Sequence, residues 1–178
     1  MAPWKFRRRL LLVLPSCTLL CFSNIVPQYQ VKEENLPRIV LPQPIPFSHK
    51  AHSSLGLTCQ GCHPGASVQE RAGFPTSSSC MYCHKTIREN SSTIQKLNIL
   101  QRQKKNLAWV RVYQVPDFVF FSHARHVNAK LSCQTCHGPV QNRDVLAQEI
   151  STNMEMCMNC HKSSLVSTEC HSCHELGE

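Results

Sequence analysis

The chain has 178 residues, of which 12 are cysteine, 10 are histidine and 7% are aromatic, and its formal charge is +8. That length suits one domain or two small ones, and a chain this size buries only a thin apolar core by itself. The basic balance does not make nucleic acid a partner, because Lys5, Arg7, Arg8 and Arg9 gather four of the positive charges at one end.

The first segment, residues 1–27, contains "KFRRRLLLVLPSCTLLCFSNIV", a positive cluster followed by an apolar stretch from Leu10 to Val26. It is long for the apolar part of an export signal and slightly short for a comfortable membrane span. Two readings stay open, a cleaved signal and an uncleaved anchor. Either carries the chain across a membrane and leaves the basic end in the cytoplasm. Cys17 and Cys21 fill the apolar stretch. Residues 28–46 form a linker in which Pro37, Pro42, Pro44 and Pro46 deny helix and favour extended backbone. It reads as a spacer or as a disordered leader.

Ten cysteines then fall into five copies of one pattern: Cys59-Gln-Gly-Cys62-His63, Cys80-Met-Tyr-Cys83-His84, Cys133-Gln-Thr-Cys136-His137, Cys157-Met-Asn-Cys160-His161 and Cys170-His-Ser-Cys173-His174. A zinc site takes four ligands from two such pairs and has no use for a histidine always placed next. A thioredoxin-like dithiol occurs once, near a βαβ pattern, and a disulfide framework has varied spacings. Cys-x-x-Cys-His is the attachment signature of haem c: both sulfurs bond the porphyrin and the histidine ligates iron. The expectation is five covalently attached haems, with His63, His84, His137, His161 and His174 as proximal ligands. The porphyrins would then form most of the core, leaving the haem-free chain largely unfolded. Two propionates per haem also offset the basic charge, which again sets nucleic acid aside.

The chain is internally duplicated. "FSHKAHSSLGLTCQGCH" (47–63) and "FSHARHVNAKLSCQTCH" (121–137) align without a gap, offset by 74 residues. The expected units are 47–90 with two haems and 121–178 with three, joined by a connector, 91–120. Four further histidines, His49, His52, His123 and His126, form two matched pairs. Three residues apart on one turn, each pair points both rings the same way, towards two stacked haems. Within the connector, Ser91 to Lys105 is expected as an amphipathic helix, capped by Ser91 or Ser92, with an Ile94, Leu97, Leu100 stripe. "LAWVRVYQVPDFVFFSHARHV" (107–127) alternates like a strand, broken at Pro116-Asp117.

Phe-x-His-x-x-His ahead of Cys-x-x-Cys-His resembles the class III cytochromes c, small low-potential multihaem electron carriers. The resemblance implies a mostly irregular fold with short α-helices and little β-sheet. It implies distal ligands too: His49 for the haem on Cys59/Cys62, His123 for Cys133/Cys136, His52 for Cys80/Cys83 and His126 for Cys157/Cys160. Trihaem members supply the last distal ligand just before the middle motif, where this chain has Asn153-Met154-Glu155-Met156. Met154, with Met156 behind it, is therefore one candidate for the Cys170/Cys173 haem. His171 is the competitor, and an open or partner-filled position is the third reading.

Trp109-Val110-Arg111-Val112, Pro116-Asp117-Phe118-Val119-Phe120-Phe121, the His123/His126 pair and Cys133-x-x-Cys136-His137-Gly138 also resemble the pentahaem subunits of alternative complex III. That likeness implies an electron-transfer protein, not an enzyme by itself, on the periplasmic side of a bacterial inner membrane. Its partners would be the other subunits of a quinol-oxidising complex. Free-standing or anchored carriers serving periplasmic redox proteins are the alternative. A multihaem reductase ranks below both, since no motif has its proximal histidine replaced.

Overall fold

The computed structural model describes residues 36 and 38–175. Segment 1–27, with its expected signal or anchor, lies outside them, as does most of the first half of the linker. Among the described residues there are seven short helices: α1 His49–Ser53, α2 Cys59–Cys62, α3 Ser77–His84, α4 Ser92–Arg102, α5 His123–Asn128, α6 Gln134–His137 and α7 Met154–Ser163. Tight 3-10 turns at Pro64–Ser67, Val140–Asn142 and Cys170–Ser172 complete the regular structure. Among the described residues there is no strand, only the isolated bridges Val40–Ala147 and Val119–His174. No described helix is long and apolar enough to cross a membrane.

The duplication is visible atom by atom. Ser48 caps α1 by accepting from the Ala51 amide, and Ser122 caps α5 by accepting from that of Arg125. Phe47 stacks on His52 at 4.4 Å, and Phe121 on His126 at 4.7 Å. The two halves then exchange contacts. The Lys50 amide donates to the Arg143 carbonyl, and its counterpart 74 residues on, the Ala124 amide, donates to the Gln69 carbonyl. Each half therefore sets its histidine helix on the turn that follows the other half's first motif.

The apolar core is small. Ile45, Met81, Ile94 and Leu97 form one cluster, with Cys80, Leu107 and Trp109 against it. It locks α3 to α4, and burying each of Ile94 and Leu97 is worth about 1.5–3 kcal/mol. Ser77, also buried, donates its hydroxyl to the Lys105 carbonyl, while its amide donates to the Asn106 side chain. Helix α4 starts at the expected Ser91 cap but stops at Arg102 instead of Lys105. Lys104 takes a left-handed φ of 55°, and the Lys104 and Lys105 amides fold back onto the Gln101 and Leu100 carbonyls. That is a Schellman ending, here without glycine.

The expected strand over 107–127 does not form. Its backbone groups find other partners: the Gln43 side chain both donates to the Val110 carbonyl and accepts from the Val110 amide. The Phe120 amide donates to the Cys173 carbonyl, and Pro116 offers no donor at all. Leu107 and Trp109 pack against the apolar cluster, while Val110, Phe118 and Phe120 stay exposed.

Gly65 is buried where the 64–67 turn meets the returning chain, its amide donating to the Ala72 carbonyl. An added Cβ would collide with the Arg71 carbonyl oxygen. Gly65→Ala is therefore expected to cost about 1–3 kcal/mol, read as a lower thermal midpoint of the holoprotein with its haem spectrum unchanged.

Candidate metal centres

Each Cys-x-x-Cys spans a single helical turn, which sets its two sulfurs on one face. Cys59 and Cys62 bound α2, Cys80 and Cys83 lie in α3, Cys133 leads into α6, which holds Cys136, and Cys157 and Cys160 lie in α7. Cys170 begins the last 3-10 turn, with Cys173 just beyond it. All ten thiols are free. Burial, and then a neighbouring thiol, raises the pKa of Cys62, Cys80, Cys133 and Cys157, and pushes Cys136 up to about 11. An activated redox dithiol needs the opposite shift, because the thiolate is the nucleophile.

The histidines are oriented by carbonyl oxygens. Nδ1 of His52 lies 2.8 Å from the Ser48 carbonyl, His63 2.7 Å from Gly73, and His84 3.0 Å from Ile87. His123 lies 2.8 Å from Glu70, His126 2.8 Å from Ser122, and His161 2.9 Å from Ser167. A carbonyl oxygen only accepts, so in these six rings Nδ1 carries a proton, and in the neutral ring it is Nε2 that has the free lone pair. That is the tautomer of a metal-ligating histidine with its outer nitrogen anchored.

The rings come in facing pairs. His52 and His84 have centroids 6.1 Å apart, His126 and His161 6.2 Å, and His123 and His137 6.3 Å with planes only 4° apart. A metal–imidazole bond of about 2 Å on each side, plus about 1.1 Å from ring nitrogen to ring centre, separates two such centroids by about 6.2 Å. The spacing therefore fits one iron between each pair, and the donor set suits haem. His49 is held neutral, its pKa lowered to about 4 by burial, then by the charges of His63 and His52. His137 is likewise lowered to about 4, by burial, then by His123 and His63. Among the described residues no three His, Cys, Asp or Glu side chains converge. Each of the three histidine pairs would offer two nitrogen donors to a bound iron.

The last site differs. His174 has Phe118 as ring neighbour at 6.4 Å. Met154 begins α7 and is 63% exposed, and His171 lies exposed in the final turn. Among the described residues no side-chain hydrogen bond or ring pair joins either of them to His174.

Other side chains near the centres carry no motif. The Tyr113 ring meets His137 edge-on at 4.6 Å, while its hydroxyl donates to the His137 carbonyl and accepts from the Glu149 amide. Glu149 in turn forms a two-pronged pair with Arg143 at 2.6 and 2.8 Å, which holds its carboxyl below the usual range. Nothing but an aromatic residue in an extended segment marked Tyr113 in advance. Tyr113→Phe keeps the ring and loses both hydrogen bonds, an expected loss of about 1–3 kcal/mol visible as a lowered thermal midpoint. The indole N–H of Trp109 is buried without a partner among the described residues, a donor of the kind a porphyrin propionate accepts from.

Comparison with known proteins bears on the same residues. The family described as cytochrome c7 and related cytochrome c matches residues 119–175, and the cytochrome c3 family matches 51–111. Each match contains the motifs of one half. The menaquinone reductase multiheme cytochrome c subunit of Nitratidesulfovibrio vulgaris is 28% identical over 145 residues, covering 74% of this chain and 67% of its own length. The multiheme cytochrome MtrA of Shewanella baltica is 25% identical over 121 residues, 68% of this chain but 32% of that longer protein.

Proposed function

Because the chain belongs to the class III multihaem cytochromes c, electron-transfer proteins that bind haem c covalently, we propose that it holds five haems and serves a quinol-oxidising respiratory complex. Its place would be the periplasmic face of a bacterial inner membrane, with segment 1–27 as signal or tether. Haem c supplies one-electron chemistry when bound, at potentials set by ligands, hydrogen bonds and burial.

The chain's own residues attach, ligate and orient. Cys59/Cys62, Cys80/Cys83, Cys133/Cys136, Cys157/Cys160 and Cys170/Cys173 form the thioether bonds. His63, His84, His137, His161 and His174 take the proximal faces, and His49, His52, His123 and His126 the distal faces of the first four. Met154 or His171 takes the fifth. Units 47–90 and 121–178 hold two and three haems, with 91–120 between them. One observation carries this reading: facing imidazoles at 6.1 to 6.3 Å, most with Nδ1 tied to a carbonyl so that Nε2 is left for iron.

The name of the Nitratidesulfovibrio relative, a subunit of a menaquinone reductase, supports membership of a quinone-active complex, although that name has electrons passing to the quinone, not taken from the quinol. Intact-mass measurement of the holoprotein tests the haem count: five haem increments are expected, and fewer would refute it. Purification from native membranes in mild detergent tests the role. Co-purifying quinone-binding subunits and quinol-driven haem reduction support it. A lone cytochrome, or a complex that only reduces quinone, overturns it.

A further inference from the structure

The sequence orders the five motifs by number, and the fold orders them differently. His49 and His52 both stand on α1, whose five residues therefore serve two centres. His52 faces His84 at 6.1 Å. The sites of Cys59/Cys62 and Cys80/Cys83 are thus neighbours across α1. The same holds for α5 in the other half. His123 faces His137, and His126 faces His161, which makes the sites of Cys133/Cys136 and Cys157/Cys160 neighbours.

What joins the two halves is the reciprocal docking. Helix α5 sits on the backbone at Gln69–Glu70, just after the first motif's turn, with the His123 amide and Nδ1 both donating to the Glu70 carbonyl. Asn128 adds a bond to the Ser67 carbonyl. Helix α1 sits on residues 141–144, just after the third motif: Ser53 donates to the Gln141 carbonyl and Ser48 to the Asp144 carboxylate. The first and third motifs therefore meet at the centre of the molecule, with their partners facing outward. At the far end, the Nδ1 of His161 donates to the Ser167 carbonyl, and Ser167 meets Ser172 inside the last turn. That loop sets the fifth site beside the fourth.

We propose that the attachment sites lie in single file in the order Cys80/Cys83, Cys59/Cys62, Cys133/Cys136, Cys157/Cys160 and Cys170/Cys173, so that the second and fifth motifs of the sequence are the two ends. Donor and acceptor then approach opposite ends. One end presents Tyr82, 79% exposed between Cys80 and Cys83, and the other presents Phe118, 66% exposed beside His174.

The inference rests on the five-haem reading, and one measurement separates the two. Iron positions in the full-chain holoprotein come from an anomalous difference map or a high-resolution electron-microscopy map. The expected result is that the iron held by Cys80/Cys83 has a single neighbouring haem, that of Cys59/Cys62. The iron of Cys59/Cys62 should be flanked by those of Cys80/Cys83 and Cys133/Cys136. An iron of Cys80/Cys83 nearest to the haem of Cys133/Cys136 or Cys170/Cys173 overturns the order, as does a closed cluster in which the two ends touch. Fewer than five irons would overturn the haem count, while the neighbours of those present still decide the order.

Discussion

Produced without covalent haem attachment, the chain is expected to lose most of its helical far-UV circular dichroism and to show no cooperative thermal transition. The helices are too short to stand alone. The longest among the described residues, α4, has 11 residues, and α7 and α3 have ten and eight, whereas isolated helices below about 12–15 residues are marginal in water. Tertiary packing does not rescue them. Seven apolar side chains are buried among the described residues: Ile45, Ala66, Met81, Ile94, Leu97, Ala147 and Ile150. Four of these belong to the α3–α4 corner, so that corner is where residual structure should persist in hydrogen exchange. Away from that corner, the elements that carry the other four cysteine motifs contain no buried residue. A haem-free chain that melted cooperatively with native-like helix content would show that the polypeptide, not the porphyrin, carries the fold.

Replacing His126 by methionine is expected to raise the midpoint potential of one haem by on the order of 0.1 V or more, within the roughly 0.8 V that axial ligands command. His126 is the clearest place to ask. Its ring faces His161 at 6.2 Å, its Nδ1 is fixed by the Ser122 carbonyl, and Phe121 is stacked on its face. A thioether there is a weaker donor that favours the reduced iron. In a spectroelectrochemical titration, one haem's share of the amplitude should move to higher potential and the rest should stay. His52→Met should do the same to a different haem, because its partner is His84. If both variants shift the same component, or neither shifts any, the pairing of distal with proximal histidines is wrong.

The family was legible because covalent haem attachment needs fixed residues at fixed spacing. Cys-x-x-Cys-His cannot drift, and a histidine pair three apart must recur with the duplication that carries it. The Ser91 cap and the Ile94–Leu97 face were legible for a similar reason, since helix ends and helix faces have their own residue types. The docking of α5 onto Gln69–Glu70 was not, because its partners are carbonyl oxygens, which every residue owns. The strand expected over 107–127 failed on the same account. Alternation reported which side chains pack, but not that Gln43 would take the hydrogen bonds of Val110. Tyr113 stayed invisible because a strap needs only one hydroxyl at the right distance.

The exchanged helices also constrain how the molecule is made. Ser48 and Ser53 reach partners 96 and 88 residues further along the chain, so the first half cannot finish folding while the second is still being synthesised. Such long-range closure is slow. During that interval the early cysteines stay accessible, so haem can be attached to an open chain before the halves close over one another.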